Sequence, residues 1–200
     1  MDAAHWSTSI WSTTLESFCE EVAGSNPAPA AVAASAVAAN LGLGLLIKVL
    51  EITGRRKSFT GDSQKLRALV DAARRESLQL RSAADADVAA VRRYLSSRDS
   101  AAVRDAIEVP MRAARAALAG LDLCGEAAGI IHGLPAADLG AAVLLLSAAV
   151  RAILLSVDFN LPQLRSEEQY CEGIATERLA LGERALHQAA GVLRRVSERA

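Results

Sequence analysis

The apolar positions of this chain recur with a helical period, and no run of useful length alternates with the period of a strand. Trp11, Leu15, Phe18 and Val22 share a face from Thr8 to Val22, which predicts a short first helix. Gly24-Ser25-Asn26-Pro27-Ala28-Pro29 closes it. A second helix is expected from about Ala30 to Ile52, ending at Gly54-Arg55-Arg56-Lys57. Asp62 or Ser63 can cap a long third helix with an apolar stripe of Leu66, Leu69, Val70, Ala73, Leu80, Ala84, Val88 and Val91. Arg74, Arg75, Glu76 and Arg81 fall on its solvated side. Ser97 or Asp99 caps a fourth, in which Pro110 removes a backbone donor and should introduce a kink. After Gly133-Leu134, Pro135 suits the first turn of a fifth helix, Ala136 to about Asp158, ended by Asn160-Leu161-Pro162. The last helix, Glu167 to Glu198, carries Cys171, Ala175, Leu179, Gly182, Leu186, Ala189, Leu193 and Val196 on one stripe. No repeat or linker divides the chain, so residues 1–200 are expected to form one all-α domain, an elongated bundle of about five to six helices.

Composition narrows this picture. The chain has 200 residues and is 52% hydrophobic but only 4% aromatic, so its core must be aliphatic and rich in alanine. Two stretches, Ala28 to Ile47 and Leu139 to Val157, are apolar enough to suggest membrane spans. They are rich in Ala and Gly, and Arg151 interrupts the second at a cost of about 2.5–3.5 kcal/mol on insertion scales. Both are therefore expected to be central helices buried on most sides, with no membrane partner. With 22 basic and 23 acidic residues the formal charge is −1, which offers no general attraction to nucleic acid. Cys19, Cys124 and Cys171 are widely spaced and read as free thiols in a reducing cytoplasm. With His5, His132 and His187 equally scattered, no metal site is expected. Met1-Asp2-Ala3-Ala4-His5-Trp6 lacks the basic and apolar regions of a signal peptide.

No nucleotide-binding loop, nucleophile elbow or zinc-protease motif is present. The polar residues that interrupt apolar helices carry what chemistry can be read. Asp138 stands in the first turn of the fifth helix, where an acid is ordinary dipole compensation or, if dry, a proton-handling group. Arg151 lies on the same helix and, if buried, needs a partner or a ligand. Asn160 follows, where an amide can satisfy loose carbonyls or hold a ligand. Together the three suggest the sparse polar lining of a ligand pocket. Arg55, Arg56 and Lys57 either compensate a helix C-terminus or clamp an anion.

The order and spacing of short motifs resemble the cyclodeaminase/cyclohydrolase family, the C-terminal domain of formiminotransferase-cyclodeaminase and its free-standing bacterial relatives. The resemblance runs from Phe18 to about Pro162. Ser25-Asn26-Pro27-Ala28-Pro29-Ala30-Ala31-Val32-Ala33 keeps both prolines of the family's S-x-P-T-P-G-G-G segment but none of its glycines. Ile52-Thr53-Gly54-Arg55-Arg56-Lys57 is similar to L-T-x-G-K-K, and Asp87-Val88-Ala89-Ala90 to D-x-x-A. Val109-Pro110-Met111, Ala137-Asp138-Leu139-Gly140, Val150-Arg151 and Val157-Asp158-Phe159-Asn160 follow the family's later motifs without a gap.

The resemblance implies a homodimer of helical bundles and a reduced-folate pocket near the proline-containing turn and the start of the fifth helix. It implies cyclisation of 5-formimino-tetrahydrofolate with loss of ammonia, or hydration of the methenyl bridge. Both need a proton shuttle rather than a metal, a cofactor or a nucleophilic serine. Asp138 is the expected shuttle, with Asn160 orienting substrate or water. Pro29, Ala30, Ala31 and Arg151 are expected to line the pocket, and Arg55, Arg56 and Lys57 to meet folate carboxylates. The methyl groups of Ala30 to Ala33 fill space that glycine would leave open to a flat ring. Two other readings therefore stand beside the folate enzyme: acid–base chemistry on a non-folate substrate, and a non-catalytic helical dimer.

Overall fold

The computed structural model describes residues 9–164 and 167–198. The first eight residues, with the expected helix start at Thr8 and His5, lie outside them. Among the described residues the structure is all-helical: α1 (Leu15–Ala23), α2 (Ala31–Gly54), α3 (Ser63–Ser97), α4 (Ser100–Ala127), α5 (Pro135–Asn160) and α6 (Glu168–Ser197), with short 3-10 turns at Ile10–Ser12 and Leu161–Leu164.

The expected first helix is split. Thr14 caps α1 by accepting from the Ser17 amide, which sets a helix start inside the stretch expected to be continuous. Leu15 and Val22 are exposed, and only Phe18 of that face reaches the core from α1. Ile10 and Trp11 instead dock on α3. Asp85 accepts from Ser9 Oγ and the Ile10 amide, and Trp11 Nε1 donates to the Arg81 carbonyl. Elsewhere the capping expectations resolve to one residue each. Asp62 accepts from the amides of Gln64 and Lys65, and Asp99 from that of Ala102.

Helices α2 to α5 close into a ring in which each packs on the next and α5 returns to α2, while α6 lies against α5 and α4. Neighbours in the ring run antiparallel. Along α2 and α3, Asn40 meets Ser77 and Glu51 meets Arg74. The core is aliphatic, with Leu43, Leu46, Leu50, Leu80, Ile107, Leu121, Leu146 and Ile153 fully buried. Alanine and glycine let the backbones approach: a Cβ on Gly42 of α2 would sit 3.1 Å from the Ala142 carbonyl of α5.

The two most apolar stretches form α2 and α5, the helices with the largest mutual contact. By length and composition both could cross a membrane, but here much of each closes the bundle core. The apolar window of α5 is buried over more than half of its residues, as expected, and that of α2 over slightly less than half. These shares, 56% in α5 and 44% in α2, leave Leu41, Leu144, Leu155 and Phe159 on an open face. An all-round apolar helix says that burial is favourable without saying which neighbour supplies it.

Candidate functional site

The antiparallel course of α2 and α5 separates residues that the motifs group together. Asp138 and Asn160 stand at opposite ends of α5, about 33 Å apart along the axis. The turn through Pro29 sits beside Asn160, and the segment after Gly54 lies near the start of α5. A single pocket joining the proline turn to the start of the fifth helix is therefore not formed.

At the α5 start, Asp138 Oδ2 accepts from Lys48 Nζ at 2.8 Å, and both side chains are substantially exposed. The dry carboxyl group expected there is absent, because Lys48 of α2 neutralises it at the surface. Arg55 pairs with Glu51, Arg56 donates to the His132 carbonyl, and Arg55, Arg56 and Lys57 are all exposed. Arg151 is not buried either. It points out from α5 to the surface, so the desolvation that would require a partner does not arise.

At the other end a cavity of about 390 Å³ lies between the first turn of α2, the last third of α3, the first half of α4 and the last turns of α5. Such a volume suits a small organic ligand. Ala30, Ala31, Val32, Asp87, Pro110 and Asn160 are among its walls, with Phe159 at the mouth. Pro29 is buried behind the turn, and its peptide bond to Ala28 is cis. The structure thus brings together Pro29, Ala30, Ala31 and Asn160 but leaves out Asp138, Arg151 and the basic segment.

Asp87 opens the segment similar to D-x-x-A, but the sequence reading gives it no role in the site. It is 5% exposed on the inner stripe of α3, and its Oδ2 has no hydrogen-bond partner. Burial pushes its carboxyl up to about 6, against a backbone hydrogen bond from Ala33 that draws it down. Ala33 is in the first turn of α2, whose own cap residue Ala30 offers no side-chain acceptor. Asp87 therefore serves the free amides of a helix N-terminus with one part of its carboxyl, while its other oxygen is unclaimed. A carboxyl group poised near neutrality in a cavity wall is suited to exchanging protons with a ligand.

Asn160 has a structural task as well. Its Nδ2 donates to the Ala106 carbonyl at 2.9 Å. Ala106 is four residues before Pro110, so its carbonyl is the one that lost its helical donor to the proline. The α5 amide replaces the missing N–H, and α4 continues through Pro110 from Ser100 to Ala127. Among the described residues no group of three His, Cys, Asp or Glu side chains is placed to hold a metal ion.

A closed antiparallel ring of helices with a carboxyl-bearing cavity at one end makes this a helical-bundle protein with a candidate ligand site. The sequence profile described as formiminotransferase-cyclodeaminase matches residues 14–180, and the chain belongs to that family. In fold it is similar to the crystal structure of formiminotetrahydrofolate cyclodeaminase from Thermotoga maritima, with a TM-score of 0.82. That match has 22% identity and covers 95% of this chain and 96% of the other. No curated protein matches it.

Proposed function

We infer that this chain is a one-carbon folate enzyme of the formimino-tetrahydrofolate cyclodeaminase or methenyl-tetrahydrofolate cyclohydrolase type, with Asp87 as its proton-handling residue. Family membership supports the substrate class, and the observation that carries the mechanism is the buried, half-unsatisfied Asp87 carboxyl in the cavity wall. In the cyclodeaminase direction N10 attacks the carbon of the protonated formimino group, giving a tetrahedral carbon between N5 and N10 that carries an amino group. The proton released from N10 passes to the Asp87 carboxylate. The resulting acid returns it to the former imine nitrogen, which, once fully protonated, leaves as ammonia, and the methenyl bridge remains. A group titrating near 6 is populated in both forms near neutrality, as this relay requires. Asn160 and the cavity walls position the ligand, while Asp138 stays outside the chemistry, neutralised by Lys48.

One observation favours a second reading. Val32 is buried against the cavity and Ala30 and Ala31 line it, so its α2 wall is made of methyl groups where the family motif has glycines. A smaller or less planar substrate of the same acid–base chemistry would fit that wall. A thermal-shift titration with 5-formyl-tetrahydrofolate separates the two. Ligand at about 100 times its dissociation constant adds roughly 2.7 kcal/mol to a folate-binding protein. Retained stabilisation together with ammonia release from 5-formimino-tetrahydrofolate supports the folate reading. Absence of both transfers the site to another substrate.

The working form we propose is a cytoplasmic homodimer. The exposed apolar residues Leu41 and Leu144, on the open sides of α2 and α5, favour a second copy there, and the three cysteines are free thiols. Light scattering on the purified protein gives the mass directly.

A further inference from the structure

The Asp87 cavity continues over the surface of α5. A second hollow of about 430 Å³ lies between α5 and α6, and Ala152 and Leu155 line both. The two form one trough along a single face of α5, on which Phe159, Leu155 and Arg151 succeed one another at helical spacing. Phe159 is 79% exposed at the cavity mouth, unusual for a large ring in a chain so poor in aromatics. Arg151, about 12 Å farther along the helix axis, has no ion-pair partner among the described residues.

Across the trough, Arg178 of α6 pairs through Nη2 with Asp158, but its Nε is buried without an acceptor. Two guanidinium groups thus line an apolar trough, Arg151 unpaired among the described residues and Arg178 held by Asp158. Glu183 stands on the same wall, farther along α6, and limits how far an anion can travel.

We propose that this trough is a tail subsite for an aromatic ring followed by a carboxylate, the ring lying against Phe159 and Leu155 and the carboxylate reaching Arg151 and Arg178. The proposal rests on the folate reading and deepens it. In a tetrahydrofolate the bridge carbon joins N5 to N10, and N10 carries a benzoyl ring and then glutamate. With the bridge at Asp87, that ring must leave by the cavity mouth, and the glutamate falls on the arginine side. The basic segment at Arg55 to Lys57, at the far end of α2, is too distant to receive it.

The test is calorimetric binding of two probes to the full chain. One is 5-formyl-tetrahydrofolate, and the other carries the same head on an uncharged p-aminobenzamide without glutamate. The wild type should bind the glutamate-bearing probe roughly five- to ten-fold more tightly, as an exposed charge-assisted contact allows. Arg151→Gln, an exposed substitution that leaves the core intact, should abolish most of that preference and leave the benzamide affinity unchanged. Phe159→Ala should weaken both probes by roughly three- to ten-fold. Equal loss of both probes in Arg151→Gln, or no loss of either, would overturn the subsite while leaving the folate reading in place. Failure of the wild type to bind either probe would overturn both.

Discussion

Replacing Asp87 with asparagine tests the central electrostatic claim without relying on catalysis. Asparagine has nearly the same shape and can still accept from the Ala33 amide, but it carries no charge into the core. The carboxyl is raised from its ordinary value of 3.8 to about 6, chiefly by desolvation. A shift of about two units corresponds to about 3 kcal/mol of differential stability between the protonated and ionised forms. The folded chain holds this proton more tightly than the unfolded chain does. Its stabilising contribution is therefore fully present below about pH 4, is lost as the pH rises toward 6, and stays lost above that. Asp87→Asn has no such loss. It should match the wild type near pH 4 and exceed it by up to about 3 kcal/mol at pH 7.5. Urea denaturation followed by circular dichroism across this range measures the difference directly. A difference that is flat with pH, or an asparagine variant less stable than wild type at pH 7.5, would refute a costly buried carboxylate. The same variant should lose about 100- to 10,000-fold in ammonia release, the usual yield of a positioned acid–base group. Stability gained with activity lost marks a strained functional residue.

Other substitutions probe the neighbouring claims. Asn160→Leu should cost about 1–3 kcal/mol by leaving the Ala106 carbonyl unsatisfied. In a Pro110→Ala background, where the helix regains its own N–H, that cost should shrink, and a double-mutant cycle by chemical denaturation reads the difference. Asp138→Asn breaks only a largely exposed pair with Lys48, so it should change stability by no more than about 1 kcal/mol and keep turnover near wild type in the same ammonia assay. Gly42→Val pushes a side chain against the Ala142 carbonyl and Leu146, each 3.1 Å from where its Cβ would sit, and should lower the denaturation free energy by about 1–3 kcal/mol.

The helices can be read from period and caps because those signals are local. Asp62 and Asp99 announce α3 and α4, and Pro135 announces α5, before any tertiary contact is known. Thr14 is as strong a signal as these, and an apolar face drawn across it yields one helix where the chain makes a 3-10 turn and α1. The site is less legible because it depends on which helix ends meet. Asp138 looks isolated in an apolar helix, but its partner Lys48 stands 90 residues earlier and is invisible to periodicity. Arg151 looks buried because α5 is apolar on every side, yet one side of α5 has no neighbour in the bundle. Asp87 is within reach of the sequence. It lies three residues after Ala84 and seven after Leu80, within the inner stripe of α3, where a carboxylate has no solvent to serve it.

The contact between Asn160 and the carbonyl below Pro110 binds two distant positions into one inherited unit. A lineage that loses the amide first leaves a dry oxygen stranded inside the bundle. A lineage that loses the imino acid first makes the amide dispensable. Relatives of this chain are therefore expected to keep the two together or to discard the proline before the asparagine, and the reverse order should be selected against.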